Sequence, residues 1–258
     1  MGQFDRKTDA ALAQLNFEAL SEVPGGEFVE IIGDLVKLIG TGGLWGLTGG
    51  ASNLMLKVRR LAGASYGSNL IYAISAVRDD LAALYQSNEE LHGRIESLQN
   101  EPKFAEAISA LALRAMQTSV KDRLRRLARI VVNGVKEGDL EPEGLDDMMR
   151  AAAELKDTDI VLLGEIYDSQ KSLMKQPRLS TTSWFGQIQT LWNEFVDSGT
   201  LDGSKHLVYR SSFSRLESHG LIQKFREIST AAVGLEPYTL LEEGLKFYER
   251  LQEIAVPQ

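Results

Sequence analysis

The chain has 258 residues, of which 43% are hydrophobic and 25% are charged, a balance typical of a folded globular protein and not of a disordered tail. The net charge of −8 argues against a protein that coats nucleic acid or an anionic membrane with its whole surface, although it allows a local basic face. Because cysteine is absent, the chain has no disulfide, thiolate nucleophile or cysteine metal site, which fits a reducing cytoplasm. The first residues, MGQFDRKTDAALAQL, lack the pattern of a secretory signal, so a cytoplasmic location is expected.

Residues 1–66 are predicted to form helices around a glycine-rich segment. Apolar residues recur at helical spacing over residues 5–22 and again over residues 28–39. The segment 38–56 has no charged residue and six glycines, three of them in tandem GxxxG steps that let helices approach closely: Gly42, Gly46 and Gly50. Two interpretations remain open. Close packing inside the fold is favoured because paired glycines weaken a helix, while the length of the segment makes membrane contact the alternative.

A repeat of apolar residues at alternating steps of four and three runs from Leu70 to Leu98 and predicts one long heptad-patterned helix. Asn88 is the only polar member. Asparagine in such a seam is typical of a parallel dimer, but a hairpin within one chain is favoured because the break at residues 100–102 gives a short connection to the next helix. Under either interpretation Leu84, Asn88 and Leu91 are expected in a helix–helix interface.

The same spacing resumes from Phe104 to Val131 and predicts the returning helix, with Asn133–Gly134 as its end. Within it, VKDRLRRLAR carries five basic residues on two stripes: Lys121, Arg123, Arg125, Arg126 and Arg129. A solvated face is the favoured interpretation of these residues, with phosphate or lipid-headgroup binding as the alternative. An acidic linker and a short helix reaching Leu155 complete a helical hairpin or bundle over residues 67–154.

Residues 155–258 are predicted to form a winged helix-turn-helix-like domain, because three helices, two short strands and a closing helix occur in that order. The helices are expected in DTDIVLLGEIYDSQ with Asp157 as its cap, in TSWFGQIQTLWNEFVDSG and in VYRSSFSRLESHGLI. The strands are expected from Gln223 and in PYTLL, and the closing helix in EEGLKFYERLQEI. The predicted fold class is therefore mainly α.

The third helix and the wing of this domain carry candidate residues for contact with nucleic acid or with a protein partner: Lys205, Tyr209, Arg210, Ser212, Arg215, Lys224 and Arg226. Phe213 and Leu216 should point inward from the same helix. Glu217 and Glu227 remove any positive excess, and winged helices without a basic face are often protein-binding modules. A protein partner or self-association is therefore favoured over DNA.

The sequence contains no motif that argues for catalysis. The three histidines, His92, His206 and His219, lie far apart, and neither metal-ligand spacing nor a nucleophile motif is present. We therefore expect a protein that is not an enzyme and that uses no metal and no cofactor.

Two stretches of the chain resemble a bacterial family. RAMQTSVKDRLRRLARIVVNGV followed by AAAELKDTDIVLLGEIYDS resembles the Abi-alpha-like group of proteins related to abortive phage infection. RLESHGLI and PYTLLEEGLKFYERL resemble the closing winged-helix unit of that group, with Leu-Leu in place of the usual Leu-Thr. The resemblance covers roughly residues 110–255 and implies a bacterial, non-enzymatic protein with a role in phage defence. A DNA-binding regulator dimerised by its heptad helix is the alternative function.

Overall fold

The computed structural model describes the backbone of residues 50–118, 120–174, 181–197, 203–224 and 238–253. Side chains are described for residues 68–98, 100–118, 120–174, 186–195, 209–224 and 238–253. The predictions for the first 49 residues, including Gly42 and Gly46, lie outside these ranges, and Gly50 is the first residue of a helix. The described part of the chain is mainly helical, as the periodicity predicts.

The helices in chain order are α1 (Gly50–Ser87), α2 (His92–Ser97), α3 (Pro102–Gln117), α4 (Lys121–Glu137), α5 (Pro142–Glu154), α6 (Asp157–Met174), α7 (Thr181–Asp197), α8 (Gly203–Ser218) and α9 (Glu242–Leu251). Strands β1 (Ile222–Lys224) and β2 (Tyr238–Leu240) lie between α8 and α9, and 3-10 turns occupy Glu89–Leu91 and Leu98–Asn100. The chain divides into two compact units: an N-terminal unit that ends at Ala153 and also takes in Glu253, and a C-terminal unit from Glu154 to Gln252.

In the N-terminal unit, α1 packs against α3 and α4. The apolar residues of the long repeat are all buried: Leu70, Ile74, Val77, Leu81, Leu84, Leu91, Ile95 and Leu98. The Asn69 amide donates a hydrogen bond to the Thr118 carbonyl at 2.9 Å, so the C-terminal end of α3 lies level with the middle of α1 and the two helices run antiparallel. The repeat is therefore buried within one chain.

The repeat predicts a single helix from Leu70 to Leu98, but this prediction is wrong beyond Ser87, where α1 ends. Asn88 has extended backbone angles (φ −143°, ψ 99°), and its side chain accepts a hydrogen bond from the Glu90 N–H at 3.0 Å. It is the cap of the following 3-10 turn and not a residue of a helical seam, because a short side chain with an oxygen acceptor stabilises a helix start better than a helix interior. Leu84 and Leu91 are buried on either side of this break.

The returning helix is also divided. Gln117 ends α3, Thr118 has an extended backbone (φ −127°, ψ 138°), and α4 begins at Lys121. The Thr118 hydroxyl accepts a hydrogen bond from the Val120 N–H at 3.4 Å, a local bond of the kind that competes with helix formation. The apolar spacing continues across the break because both helices bury one face against α1.

The end of α4 lies four residues beyond the predicted Asn133–Gly134 end. Gly138 has φ +74°, a left-handed conformation that glycine adopts without a steric penalty. Its N–H donates to the Val135 carbonyl at 3.2 Å, and the next N–H donates to the Gly134 carbonyl at 2.9 Å. The Arg94 guanidinium donates to the Val135 and Lys136 carbonyls at 3.1 and 2.7 Å, so a cation covers the negative end of the helix dipole.

In the C-terminal unit, α6 packs against α7, α8, α9 and β2. β1 and β2 pair in antiparallel register, with Ile222 opposite Leu240 and Lys224 opposite Tyr238. Large buried side chains from each of the four helices form the core: Leu162, Leu163, Ile166, Ile188, Trp192, Phe213, Leu216 and Phe247. The observed order is three helices, a two-stranded antiparallel sheet and a closing helix.

Candidate partner-binding face of the C-terminal unit

Helix α8 carries most of the side chains that the sequence singles out for partner binding. Its Phe213 and Leu216 are buried, in agreement with the inward orientation that their spacing predicts. Phe213 stacks on Tyr238 of β2 with ring centroids 4.5 Å apart, and the Trp192 ring of α7 lies 6.0 Å from Phe213. Aromatic packing on one side of α8 thus fixes which residues face away from the core.

Arg215 forms a two-point ion pair with Asp159 of α6. Its Nε donates to Asp159 Oδ2 at 2.7 Å and its Nη2 donates to Oδ1 at 2.6 Å. The Asp159 side chain is 0% exposed, whereas 31% of the Arg215 side chain remains accessible. Asp159 Oδ2 also accepts the Lys156 N–H at 2.8 Å, so the carboxylate reaches back to the start of its own helix as in a capping box. One carboxylate therefore joins α8 to the first turn of α6.

The surroundings of Asp159 favour its charged form. Burial alone would raise the pKa of Asp159, but hydrogen bonds from Arg215, Ser212 and the Lys156 backbone lower this pKa below the ordinary value of 3.8. The hydrogen bond to Asp159 raises the pKa of Arg215. Both groups are consequently ionised at neutral pH, and the start of α6 adds a favourable dipole for the carboxylate.

Three residues that the sequence singles out on these elements have contacts that their spacing does not predict. Ser212 is buried, and its hydroxyl accepts from Arg215 Nη2 at 3.3 Å, so Ser212 is not part of an outer binding face. Arg215 is engaged by Asp159, because leaving a buried carboxylate unpaired would cost more than the arginine gains from full exposure to solvent. The sequence predicts Asp157 as the cap of α6, but Asp157 lies within the helix, and Asp159 makes the capping contact two residues later.

The exposed part of α8 has mixed charge. Arg210 is exposed and Tyr209 is half-buried, while Glu217 is exposed near the end of the helix. The Glu217 carboxylate accepts the Lys224 N–H at 3.4 Å. Burial, followed by the negative charge of Glu217, raises the pKa of Tyr238. The exposed Arg210 therefore shares α8 with an exposed carboxylate, and the Lys224 backbone contacts that carboxylate.

Two predicted contact residues cannot be placed on the face. Lys205 belongs to α8 by its backbone, but its side chain lies outside the ranges that the structure describes, and so does the whole of Arg226.

At the other end of α8, Gly220 has φ +66° and the Leu221 N–H donates to the Leu216 carbonyl at 3.0 Å. This left-handed glycine turns the chain directly from α8 into β1.

Gln170 is a structural residue that the sequence analysis does not identify. Its side chain is 0% exposed, its amide donates to the Tyr238 carbonyl at 3.0 Å and its carbonyl oxygen accepts the Leu240 N–H at 2.9 Å. The amide thus satisfies the edge of β2 that faces away from β1. A signal exists in the sequence, since Gln170 occupies a core position at helical spacing from Ile166 and Leu173, where a polar side chain needs a partner.

The basic stripes of α4 have several different environments. Lys121 and Arg125 are exposed. Arg123 donates to a backbone carbonyl near the end of α5 at 2.8 Å, and Arg129 pairs with Glu253 at 2.7 Å. Only part of the basic sequence pattern therefore faces solvent, at the start of the helix.

None of the helices in the described ranges is both long enough and apolar enough to cross a bilayer. Within the same ranges, histidine and carboxylate side chains form no group that could hold a metal ion. No protein-family model matches the sequence, and no curated protein and no solved structure shows significant similarity to it.

Proposed function

We propose that the chain is a non-enzymatic bacterial interaction protein, whose C-terminal unit is a winged-helix module that binds a protein partner and not DNA. The observation that carries the proposal is the Arg215–Asp159 pair. A winged helix that reads DNA presents cations and small polar side chains from its third helix. Here Arg215 holds a buried carboxylate and Ser212 is buried beside it.

The charges that remain on the face support the same proposal. Phosphate contacts supply most of the affinity of DNA-binding proteins, and several exposed cations are needed to make them. Arg210 shares the exposed part of α8 with Glu217, whose carboxylate accepts the Lys224 backbone N–H. A face with both signs of charge and a half-buried tyrosine suits a protein surface better than a phosphate backbone.

Burial of the heptad residues within the chain weighs against the regulator alternative. Dimerisation through that repeat would need its apolar side chains at a surface, whereas Val77, Leu81 and Leu84 of α1 are buried in the N-terminal unit.

A role in phage defence is supported by the resemblance to the Abi-alpha-like group. It is tested by comparing phage plating efficiency on bacteria with and without the expressed chain, and an unchanged efficiency across a broad phage panel would count against it.

A photo-crosslinking amino acid at Ser214 tests what α8 contacts. Ser214 is exposed on α8 between Arg210 and Glu217, so a small crosslinker there should not disturb the core. In cells we expect an adduct that protease removes and nuclease leaves intact, and we expect it to disappear when Arg210→Glu is added. The same crosslinker at Glu106, which is exposed on α3, serves as the control. A nuclease-sensitive adduct at Ser214 would support the DNA-binding alternative.

A further inference from the structure

The exposed face of α8 carries two opposite charges two helical turns apart. Arg210 and Glu217 are both exposed, and their spacing places them about 20° apart around the helix and about 10 Å apart along its axis. Phe213 and Leu216 of the same helix are buried in the core, on the other side. Among the described residues Arg210 forms no ion pair, and the Glu217 carboxylate accepts the Lys224 N–H at 3.4 Å.

The exposed side chains between and beside these two charges are short. Ser211, Ser214 and Ser218 are exposed on the same side of α8, and Ser214 lies near the midpoint between Arg210 and Glu217. The distance between packed helices depends on the side chains at the contact, so serine allows a second helix to come close. The longer charged side chains then reach past the serines to groups on that helix.

The order of these side chains is complementary to itself when the helix is reversed. In an antiparallel pair of α8 helices with a two-fold axis at Ser214, Arg210 of each copy lies opposite Glu217 of the other. The symmetry therefore forms two ion pairs from one pair of residues. This self-match in charge favours a second copy of the chain over a partner of unrelated sequence.

We propose that the protein partner of α8 is a second copy of this chain, held by an antiparallel α8–α8 contact centred on Ser214. The inference rests on the proposed function, because it names the partner of the same face. Arg210 and Glu217 pair across the two copies, while Arg215 keeps its contact with Asp159. A contact formed by one helix face falls at the low end of specific interfaces, below about 1,200 Å², so we expect a dissociation constant in the micromolar range.

Sedimentation equilibrium of the full chain measures the association, and charge reversal locates it. Arg210→Glu places two pairs of like charges across the contact, so it should weaken self-association by about tenfold or more. Lys171→Glu, which reverses an exposed lysine of α6, is the matched control and should associate as the wild type does. A wild type that stays monomeric at its highest soluble concentration would overturn the proposal, and so would an Arg210→Glu variant that associates normally.

Mixing two variants that repel themselves tests the arrangement of the helices. Arg210→Glu presents only acidic groups at the two charged positions, and Glu217→Arg presents only basic groups. Each should be monomeric at concentrations where the wild type dimerises, whereas an equimolar mixture should form a heterodimer. Circular dichroism melts show whether each variant is folded. Two folded variants that fail to associate when mixed would contradict the antiparallel contact.

Engineered cysteines locate the axis without changing the charge of the face. Because the chain has no cysteine, a disulfide in a single-cysteine variant joins two copies. Ser214→Cys should form a disulfide-linked dimer under mild oxidation, since the two side chains meet at the axis. Ser218→Cys lies one turn away, which separates the two Cα atoms by at least about 12 Å, too far for a disulfide. Equal cross-linking of the two variants would overturn the proposal.

The mass of the cross-linked product separates this proposal from the proposed function. With the photo-crosslinking amino acid at Ser214, we expect an adduct of twice the mass of the chain. A protease-sensitive adduct of any other mass, together with a monomeric wild type, would refute self-association and leave protein binding by α8 standing. A nuclease-sensitive adduct would refute protein binding by α8, and self-association with it.

Discussion

Two aspartates of the described chain have opposite effects on stability, because their surroundings move their pKa values in opposite directions. Burial is the largest influence on both. For Asp159 it is outweighed by hydrogen bonds from Arg215, Ser212 and the Lys156 backbone, so its pKa falls below 3.8. For Asp80, which is half-buried on α1, burial outweighs the attraction of Arg125 and Arg129, so its pKa rises.

Replacing Asp159 by asparagine should destabilise the protein by about 2–4 kcal/mol, because Arg215 then loses its counter-charge beside a buried amide. A carboxyl whose pKa is lowered by folding stabilises the fold above its unfolded-state pKa, and this contribution disappears as the pH falls below about 4. Chemical denaturation across a pH series from neutral to strongly acidic should therefore show a steeper acid loss for the wild type than for Asp159→Asn.

The matched control for that measurement is Asp168→Asn on the same helix. Asp168 pairs with Lys171 at 2.6 Å, but its side chain is 67% exposed, so the loss should stay below about 1 kcal/mol. A loss for Asp159→Asn no larger than that of the control would show that the ion pair contributes little to stability.

Asp80→Asn should leave the unfolding free energy at neutral pH unchanged or higher. A carboxyl whose pKa is raised by folding opposes folding while it is charged, so wild-type stability gains a contribution as the pH falls from neutrality through the pKa of Asp80. The variant should lack this gain. The same denaturation series measures it, and a clear loss of stability at neutral pH would mean that attraction to Arg125 and Arg129 outweighs burial.

For single residues, the sequence predicts burial but not the partners of polar side chains. Helical spacing predicts the inward positions of Phe213 and Leu216, because burial of an apolar residue follows from periodicity alone. It cannot predict that Arg215 turns toward Asp159, since that pairing depends on how α6 and α8 pack. The contacts of Ser212 and Gln170 escape prediction for the same reason: a polar residue at a core position signals a partner without identifying it.

At the scale of elements, two glycines in helices should respond to alanine in opposite ways. A Cβ on Gly244 of α9 would overlap the Leu221 carbonyl oxygen and lie 2.9 Å from its carbon, whereas a Cβ on Gly186 of α7 would meet nothing within 4 Å. Gly244→Ala should cost about 1–3 kcal/mol through overpacking against the backbone. Gly186→Ala should stabilise by about 0.5–1 kcal/mol, the helical preference of alanine. Thermal melts of both variants check this, and similar shifts would contradict the close approach of α9 to the residue before β1.

Asn88 offers a second test at the element scale. Since its side chain caps the turn after α1, Asn88→Ala should cost about 1 kcal/mol and Asn88→Asp should restore most of it. A residue of a helical seam would behave differently, because replacing it with an apolar side chain would raise stability. Melting Asn88→Leu beside the other two variants decides between the roles, and a higher melting temperature for Asn88→Leu would restore the seam interpretation.

The sequence predicts which segments are helices or strands better than it predicts the residues at which they begin and end. The repeat from Leu70 to Leu98 identifies buried residues correctly but not the break at Asn88, because apolar spacing reports which face is buried and not whether the backbone is continuous. The breaks depend on local hydrogen bonds at Asn88 and Thr118. The end of α4 at Gly138 depends on a left-handed glycine, and the sequence offers Gly134 as an equally suitable candidate four residues earlier.

At the scale of the whole molecule, charge is distributed unevenly along the sequence. The acid-free part of the sequence that includes the first half of α1 contrasts with the mixed face of α8, where Arg210 shares the helix with Glu217. Composition alone predicts that a protein of net charge −8 needs a local basic face to bind an anionic partner. It cannot show that the arginine most suited to DNA contact on α8 is held by Asp159.

The proposal that α8 binds a protein partner and not DNA is tested most directly by selecting sequences from a random duplex library with the full chain. Binding isotherms for the enriched sequences are then measured at physiological salt. Because Arg215 and Ser212 are committed to contacts within the C-terminal unit, we expect no enriched motif and dissociation constants no tighter than about 1 μM, the range of non-specific binding. A defined motif bound with nanomolar affinity, and lost in Arg210→Ala but not in Lys171→Gln, would contradict the proposal that α8 binds a protein partner.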